Sequence, residues 1–268
     1  SAIVATGLHA VHAAFDELTA ASRFDHWPVE VTLDGGPPRI PQLRPDELDA
    51  DAVRRLIASH GSVHVPSLIP TERVAEFVDG IERVLASRLE LQGKPLRRDG
   101  SWYASLPLPK DEAEGLARNW VAGDGGILAC DSPRLLDLMF RTYEEVGLRR
   151  VLEDYLGERP VLSANKGTLR RARLEGSTDW HQDGAFLGRG QNIRALNVWV
   201  ALTDCGIDAP GMDIVPKRFD DIQETGTGGA IFDWAVGPDT VTAVAADAPP
   251  IRPRYRAGDV MLFDQLLL

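Results

Sequence analysis

The order of the hydrophobic patterns is the strongest constraint on the fold of this chain. Four stretches between residues 46 and 156 repeat apolar side chains at the spacing of amphipathic helices. After Gly157 the apolar residues fall instead in short segments rich in β-branched and aromatic residues, separated by Gly, Pro and Asp. Helices followed by strands differ from the βαβ alternation of a Rossmann chain. This order favours a mainly β fold with α, namely a double-stranded β-helix (jelly roll) with N-terminal and supporting helices.

The same patterns predict the individual elements. Thr71 and Ser132 are predicted to cap two of the helices, and Pro133 suits a first helical position. The predicted helices span residues 46–60, 71–85, 132–146 and 148–156. The predicted strands are SVHVPSL (62–68), PVLSANKGTLRRARL (160–174), ALNVWVALTD (195–204), MDIVP (212–216), DTVTAVAA (239–246) and GDVMLF (258–263).

A Pro- and Gly-rich stretch, DGGPPRIPQLRP (34–45), predicts a linker. We therefore expect an N-terminal extension and linker over residues 1–45 and a single domain over residues 46–268. No repeat divides the second part.

Composition excludes several classes of partner. The chain has 29 basic and 40 acidic residues, a net charge of −11, which disfavours a nucleic-acid partner. No apolar run approaches 18 residues, so no membrane partner is expected. Two isolated cysteines, Cys130 and Cys205, fit a reducing cytoplasm rather than a disulfide framework. The patterns do not determine the oligomeric state.

The sharpest local motif is TDWHQDGAF (178–186), in which His181 and Asp183 are two residues apart. On a strand, residues i and i+2 point to the same face, so the imidazole and the carboxylate would converge. They would form two thirds of the 2-His-1-carboxylate triad that binds Fe(II) in oxygenases. An isolated His-x-Asp pair also occurs as a hydrogen-bonded surface pair, which is the simpler alternative.

Three further segments support the iron-binding alternative: GSVHVPSLIPTERVAEFVDGIERVL (61–85), ALNVWVALTDCGIDAPGMDIVPKRFD (195–220) and YRAGDVMLFDQLLL (255–268). Together with the His-x-Asp motif they resemble the phytanoyl-CoA dioxygenase family of Fe(II)/2-oxoglutarate-dependent oxygenases. The resemblance covers most of residues 55–268, whereas residues 92–130 match little.

The resemblance implies a role for each matching residue. His181 and Asp183 would ligate iron and be the catalytic centre, and Trp199 would lie beside the cosubstrate 2-oxoglutarate. Asn165 is placed to hydrogen-bond the same cosubstrate, and Asn197 shares the face of Trp199 by strand parity. Two simpler alternatives stay open: Trp199 as a core residue and Asn165 as a residue that satisfies a loop.

The implied activity is a dioxygenase that uses Fe(II), 2-oxoglutarate and O₂ to hydroxylate a small-molecule substrate. Related halogenases carry a small residue where this chain has Asp183, so a hydroxylase is expected rather than a halogenase. The family's third ligand is a histidine just after the Gly-Asp-Val strand, and its arginine that pairs with 2-oxoglutarate comes later still.

Neither residue is present at those positions, because the printed sequence stops at Leu268. We expect further residues after it, since an apolar strand end would otherwise leave an open sheet edge. The alternative is a non-catalytic jelly-roll binding protein, a degenerate homologue without the third metal ligand.

Overall fold

A computed structural model describes residues 39–90, 102–104, 121–123, 125–163, 166–172, 179–187, 195–206 and 208–268. Within these residues the α-helices are α1 (Ala50–His60), α2 (Thr71–Glu90), α3 (Pro133–Glu145), α4 (Leu148–Leu156) and α5 (Pro238–Val244). The strands are β1 (Ser62–Val65), β2 (Gly126–Leu128), β3 (Thr168–Arg170), β4 (Asn197–Val200) and β5 (Val260–Phe263). Short 3₁₀ turns cover Pro45–Glu47, Ala129–Asp131 and Asp183–Leu187.

The helix boundaries follow from local chemistry. The Asp49 side chain accepts a hydrogen bond from the Ala52 N–H (2.7 Å) and so satisfies one free donor at the start of α1. Gly61 (φ 74°) and Gly157 (φ 73°) end α1 and α4 in the left-handed conformation, which glycine adopts without steric cost. The predicted ends of these helices at residues 60 and 156 are therefore confirmed.

The start of α3 differs from the prediction in one detail. Ser132 precedes Pro133, but its side chain makes no capping hydrogen bond to the helix. The Ser132 hydroxyl donates instead to the Trp102 carbonyl (2.8 Å), which joins residues 102–104 to the start of α3. The Ser132 hydroxyl thus bonds a residue that is distant in sequence instead of a backbone N–H of its own helix.

The central element of the fold is a three-stranded antiparallel sheet in the order β1–β5–β4. In its register, Met261 lies opposite His64 on one side and opposite Trp199 on the other. A second, two-stranded antiparallel sheet pairs β2 with β3 and packs with α2 and α3. Both sheets join segments distant in sequence.

The two faces of the three-stranded sheet have different roles. One face buries Val63, Val260 and Leu262 against α1 and α4. Fully burying one such side chain contributes about 1.5–3 kcal/mol, so this face contributes a large part of the stability of the domain. The other face carries the residues of opposite parity, Ser62, His64, Asn197, Trp199, Met261 and Phe263. That second face is polar and aromatic.

A buried carboxylate fixes the entry to β5. Asp259 is 3% exposed, and its Oδ2 accepts a hydrogen bond from His64 Nε2 (2.9 Å). The same carboxylate accepts from the Ser67 N–H (2.8 Å) and the Arg256 N–H (2.9 Å). Ser67 has φ 53°, a left-handed conformation that costs a non-glycine residue about 1 kcal/mol or more. Asp259 therefore holds together β1, the strained turn after it, and the start of β5.

Several strand predictions need correction. The DTVTAVAA segment was predicted to be a strand, but it lies largely in α5. Pro238 at the first position and Asp239 in the first turn favour a helix, and Val241 and Ala245, four residues apart, are both buried. Helical periodicity has therefore overcome the β-branched composition.

Other predicted strands are shorter than expected. MDIVP forms a single antiparallel bridge, Ile214 to Ile251, and of the 160–174 segment the structure describes a strand only over Thr168–Arg170. The strands predicted around residues 62, 197 and 260 are confirmed. The described fold is thus mixed α/β rather than mainly β, and the jelly roll stays a prediction.

The predicted division at residue 45 also stays a prediction, because residues 1–38 lie outside the described part of the chain. A few residues after the first described residue, the Leu43 N–H donates to the His64 carbonyl (3.0 Å), and Gln42 forms an isolated parallel β-bridge with His64. The end of the predicted linker therefore touches the edge of the sheet.

We predict that Asp259→Ala lowers the free energy of unfolding by about 3–5 kcal/mol, because it leaves two backbone N–H groups and the His64 ring without their buried acceptor. Urea denaturation measures this change. Asp137→Ala is the control, since Asp137 is an exposed carboxylate paired with Arg141 on α3 (2.9 Å) and its loss should cost about 0.5 kcal/mol or less. Equal effects of the two substitutions would contradict the role of Asp259.

Candidate metal and cosubstrate site

The His-x-Asp motif does not lie on a strand. His181 and Gln182 are in irregular backbone, and Asp183 begins the 3₁₀ turn Asp183–Leu187. The prediction that His181 and Asp183 share one face of a strand was therefore wrong, because neither residue lies on a strand. Their proximity to a common site depends instead on the contacts that each side chain makes.

The hydrogen bond of His181 determines which ring nitrogen is available. Nδ1 lies 2.7 Å from the Asp179 carbonyl oxygen. A carbonyl can only accept, so Nδ1 carries a proton, and in the neutral ring Nε2 is the nitrogen that has the lone pair. Metal-binding histidines commonly show this arrangement, in which a backbone carbonyl orients the ring and selects the tautomer. The half-buried His181 is thus prepared to act as a ligand through Nε2.

Asp183 borders the same cluster of side chains as His181. Its Oδ1 lies 3.3 Å from Lys166 Nζ, and that ammonium lies over the Phe186 ring, 4.2 Å from the centroid. The Phe186 ring in turn contacts the His181 ring at 5.8 Å between centroids. Lys166 and Phe186 therefore connect the imidazole and the carboxylate.

The residue between the two candidate ligands points the opposite way and anchors the segment. Gln182 is fully buried, and its Oε1 accepts from the Gln223 N–H (2.6 Å). Its Nε2 donates to the carbonyls of Leu266 (2.5 Å) and Asp221 (3.3 Å). This anchor directs its two neighbours outward. Such a buried anchoring role is unexpected for glutamine, which is ordinarily a surface residue.

A backbone contact joins the motif to the end of β5. The Gly184 N–H donates to the Gln265 carbonyl (2.8 Å). A side chain at residue 184 would bring its Cβ to 3.0 Å from that oxygen and 3.3 Å from Ile222 Cδ1, so the approach is feasible for glycine. The segment after Phe263 therefore runs directly beside Asp183.

Asn197 and Trp199 share the polar face of the sheet, as strand parity predicted. The Asn197 Nδ2 is buried and has no hydrogen-bond partner among the described residues, and the same holds for Ser62 Oγ. Both residues pair with Phe263 in the sheet, Ser62 from β1 and Asn197 from β4. Phe263 is the last residue of β5, and Gln265 follows two residues later. Unsatisfied buried polar atoms are costly, so their concentration here is typical of a site that binds a polar ligand.

Trp199 has a clear packing role. Its ring lies 4.8 Å from that of Tyr255, whose hydroxyl donates to Met261 Sδ (2.8 Å). The Tyr255 ring also meets the His64 ring edge-on at 5.1 Å. Trp199 is therefore part of the aromatic packing on this face.

A protein-family model described as Phytanoyl-CoA dioxygenase (PhyH) matches residues 57–268. The chain belongs to this family. The match begins within α1 and includes every strand of the three-stranded sheet and the His-x-Asp motif. The resemblance predicted from the sequence is confirmed, and membership supports an iron- and 2-oxoglutarate-dependent oxygenase function.

Two solved structures are similar to this family member. The crystal structure of AviO1 from Streptomyces viridochromogenes Tue57 is 20% identical, with a TM-score of 0.46, over 82% of this chain and 86% of that chain. The structure of the epimerase SnoN in complex with Fe3+, alpha ketoglutarate and nogalamycin RO is 20% identical, with a TM-score of 0.44, over 82% and 76% of the two chains. Neither likeness is strong enough to indicate an activity. No curated protein matches the chain.

The described residues fit part of the site that the family implies. His181 offers a free Nε2 and Asp183 a half-buried carboxylate, and both are ligand types of the facial triad. The Asn197 Nδ2 is a free donor suited to a carboxylate oxygen of 2-oxoglutarate. Among the described residues, no three His, Cys, Asp or Glu side chains group together as a metal site. Asn165 lies outside the described residues, so its role stays a prediction.

The carboxyl of Asp264, which follows β5, lies in an unusual environment. Burial raises its pKa to about 6, and the negative charge of Asp220 acts in the same direction. Hydrogen bonds from the backbone N–H of Leu266 and the positive charge of Arg218 oppose the shift without cancelling it. This group therefore changes charge at a mildly acidic pH, next to the segment that contacts Gly184.

Asp264 should make stability depend on pH. Its pKa rises from 3.8 unfolded to about 6 folded, so the stabilisation is complete below about pH 4 and lost as the pH rises through 6. Relative to Asp264→Asn, the wild-type free energy of unfolding should fall by about 2 kcal/mol from pH 4 to pH 7. Urea denaturation across this range measures the difference, with exposed Asp208→Asn as the control. A constant difference between wild type and Asp264→Asn would refute the assignment.

Proposed function

We propose that this member of the phytanoyl-CoA dioxygenase family is an Fe(II)/2-oxoglutarate-dependent dioxygenase that hydroxylates a small-molecule substrate. The observation that carries the proposal is the His181 ring, whose Nδ1–H donates to the Asp179 carbonyl, while Nε2 has no hydrogen-bond partner among the described residues and lies in the same cluster as Asp183. The family match over residues 57–268 supports iron as the metal that these two side chains would bind.

The proposal includes a jelly-roll fold. The three-stranded sheet β1–β5–β4 would be part of one wall of the roll, with its apolar face on the helices and its polar face turned toward the site. This arrangement would place Asn197 and the His-x-Asp motif around the same end of β5, in agreement with the Gly184–Gln265 backbone contact.

His181 Nε2 and an oxygen of Asp183 would hold the metal. When bound, Fe(II) with 2-oxoglutarate supplies the activation of O₂ that substrate oxidation requires. The protein contributes orientation: Asp179 fixes the imidazole tautomer, and Gln182 anchors the backbone between the two ligands. Lys166 holds the Asp183 carboxylate and offsets part of its charge.

Cosubstrate binding would use the polar face of the sheet. Asn197 would donate from its unpaired Nδ2 to a carboxylate oxygen, and Trp199, held against Tyr255, would provide a rigid wall beside it. Asn165 is proposed as a second polar contact. A carboxylate at residue 183 supports hydroxylation over halogenation, because it retains the protein ligand that a halide would replace.

The expected setting of the enzyme follows from composition. None of the helices in the described residues is both long and apolar enough to cross a bilayer. The net charge of −11 supports a small-molecule substrate over nucleic acid. A cytoplasmic location, inferred from a sequence with two widely separated cysteines, is part of the proposal.

We predict that His181→Ala in the full-length protein abolishes metal-dependent turnover. Fe(II) affinity and the rate of succinate formation from 2-oxoglutarate should each fall by about 100-fold or more, since a direct ligand matters at least as much as the residues that orient it. Metal titration and a succinate assay under air are the measurements.

His60→Ala is the matched control, because His60 is the last residue of α1 and takes no part in the motif. It should retain both properties. If the full-length wild-type protein binds no Fe(II) and forms no succinate, the proposal fails and the non-catalytic alternative is favoured.

We predict that Asn197→Ala weakens 2-oxoglutarate binding by about tenfold while leaving Fe(II) affinity unchanged, because it removes one hydrogen bond to a charged group. Calorimetric titration of the Fe(II)-loaded protein measures both. Thr203→Ala, at an exposed position just beyond β4, is the control and should bind like the wild type. Unchanged 2-oxoglutarate affinity in Asn197→Ala would remove this residue from the site.

A further inference from the structure

We propose that the substrate is a planar aromatic molecule that stacks on an aromatic wall formed by Phe186, Phe232 and Trp234. This inference deepens the proposed function and rests on it, since it names the substrate class of the same site. The wall lies directly beside the candidate ligand His181, and no role in the metal or cosubstrate chemistry accounts for it.

The rings of the wall form a continuous surface that reaches the candidate metal ligand. Phe232 and Trp234 are stacked, with centroids 5.3 Å apart and planes 8° apart. Trp234 lies 6.0 Å from Phe186, tilted by 44°. The edge-to-face contacts with the His181 ring are 5.9 Å from Trp234 and 5.8 Å from Phe186. The wall therefore runs without a break from Phe232 through Trp234 to the imidazole.

The wall is open to solvent. Phe232 is 50% exposed and Phe186 is 46% exposed, and the neighbouring Ile231 is 79% exposed. Large apolar side chains that are exposed together, rather than singly, mark a binding surface on a soluble protein. Here the exposed group is continuous with the half-buried His181, so a molecule that stacks on the wall can extend toward the reaction site.

The loop that carries Phe232 and Trp234 is held in place by its backbone. The Val236 N–H donates to the Trp180 carbonyl (2.8 Å), one residue before His181, and the Gly226 N–H donates to the Ala235 carbonyl (2.9 Å). At Gly237 an added Cβ would lie 2.1 Å from the Thr227 carbonyl, so the two ends of the loop pack against each other. A surface fixed in this way loses little conformational entropy when it binds a ligand.

The ring geometry favours an aromatic ligand over an aliphatic one. The Lys166 ammonium occupies one face of Phe186, and Trp234 occupies one face of Phe232. The second face of the half-exposed Phe232 is the flat surface that extends the stack outward. Aromatic rings prefer offset stacking on such a surface, whereas a saturated ring system gains only apolar contact.

The test compares two probes of the same carbon skeleton, 2-naphthol and decahydro-2-naphthol, by calorimetric titration of the full-length protein. We expect 2-naphthol to bind about three- to tenfold more tightly, the range that corresponds to one aromatic pair. Phe232→Leu should abolish this preference, because it keeps an apolar side chain but removes the ring. Phe232→Tyr should retain it.

Phe140→Leu is the matched control, since Phe140 is an equally exposed phenylalanine (50%) on α3, away from the motif. It should leave the preference unchanged. Equal affinity for the two probes, no binding of 2-naphthol, or a preference that persists in Phe232→Leu would each overturn the proposal. The two-probe comparison on the wild type stands even if Phe232→Leu does not fold.

Fe(II) titration and succinate formation separate this proposal from the proposed function. If the protein binds Fe(II) and forms succinate but shows no preference for 2-naphthol, the aromatic substrate class is wrong and the oxygenase stands. If it prefers 2-naphthol through Phe232 but neither binds Fe(II) nor forms succinate, the wall binds aromatic ligands and the oxygenase proposal fails.

Discussion

The register of β5 between β1 and β4 is the constraint on which the rest of the described structure depends. Because side chains alternate along a strand, a shift of one residue would exchange the two faces of the sheet. Val260 and Leu262 would then leave the helices, and Met261 and Phe263 would turn toward them. The separation of the apolar face from the polar face is thus set by one hydrogen-bonding pattern.

Two buried polar side chains maintain this arrangement. Asp259 joins the turn after β1 to the start of β5 through three hydrogen bonds, and Gln182 joins the His-x-Asp segment to the backbone around Gln223 and Leu266. Both satisfy backbone groups that no strand or helix pairs, which is why polar residues occupy buried positions. Each acts at one end of β5, so the strand connects the structural anchor with the candidate chemistry.

The site combines features of different origin. The proposed metal ligands lie in irregular backbone and at the start of a 3₁₀ turn, the proposed cosubstrate residue Asn197 lies on a strand, and the aromatic wall around Trp234 lies on a loop. Their proximity comes from two backbone contacts, Gly184 with Gln265 and Val236 with Trp180. Functional groups on loops held by a rigid sheet are a common solution, because loops vary without disturbing the core.

The amino-acid sequence by itself determined the family, the ends of α1 at Gly61 and of α4 at Gly157, and the strands β1, β4 and β5. It also contained the residue types that are suited to binding iron. These are local patterns, and local chemistry decides them. Tertiary structure alone decided that Gln182 is a buried anchor and that the Phe232–Trp234 pair lies beside His181. Each of these depends on partners tens of residues away in the chain, and no spacing within a segment carries that information.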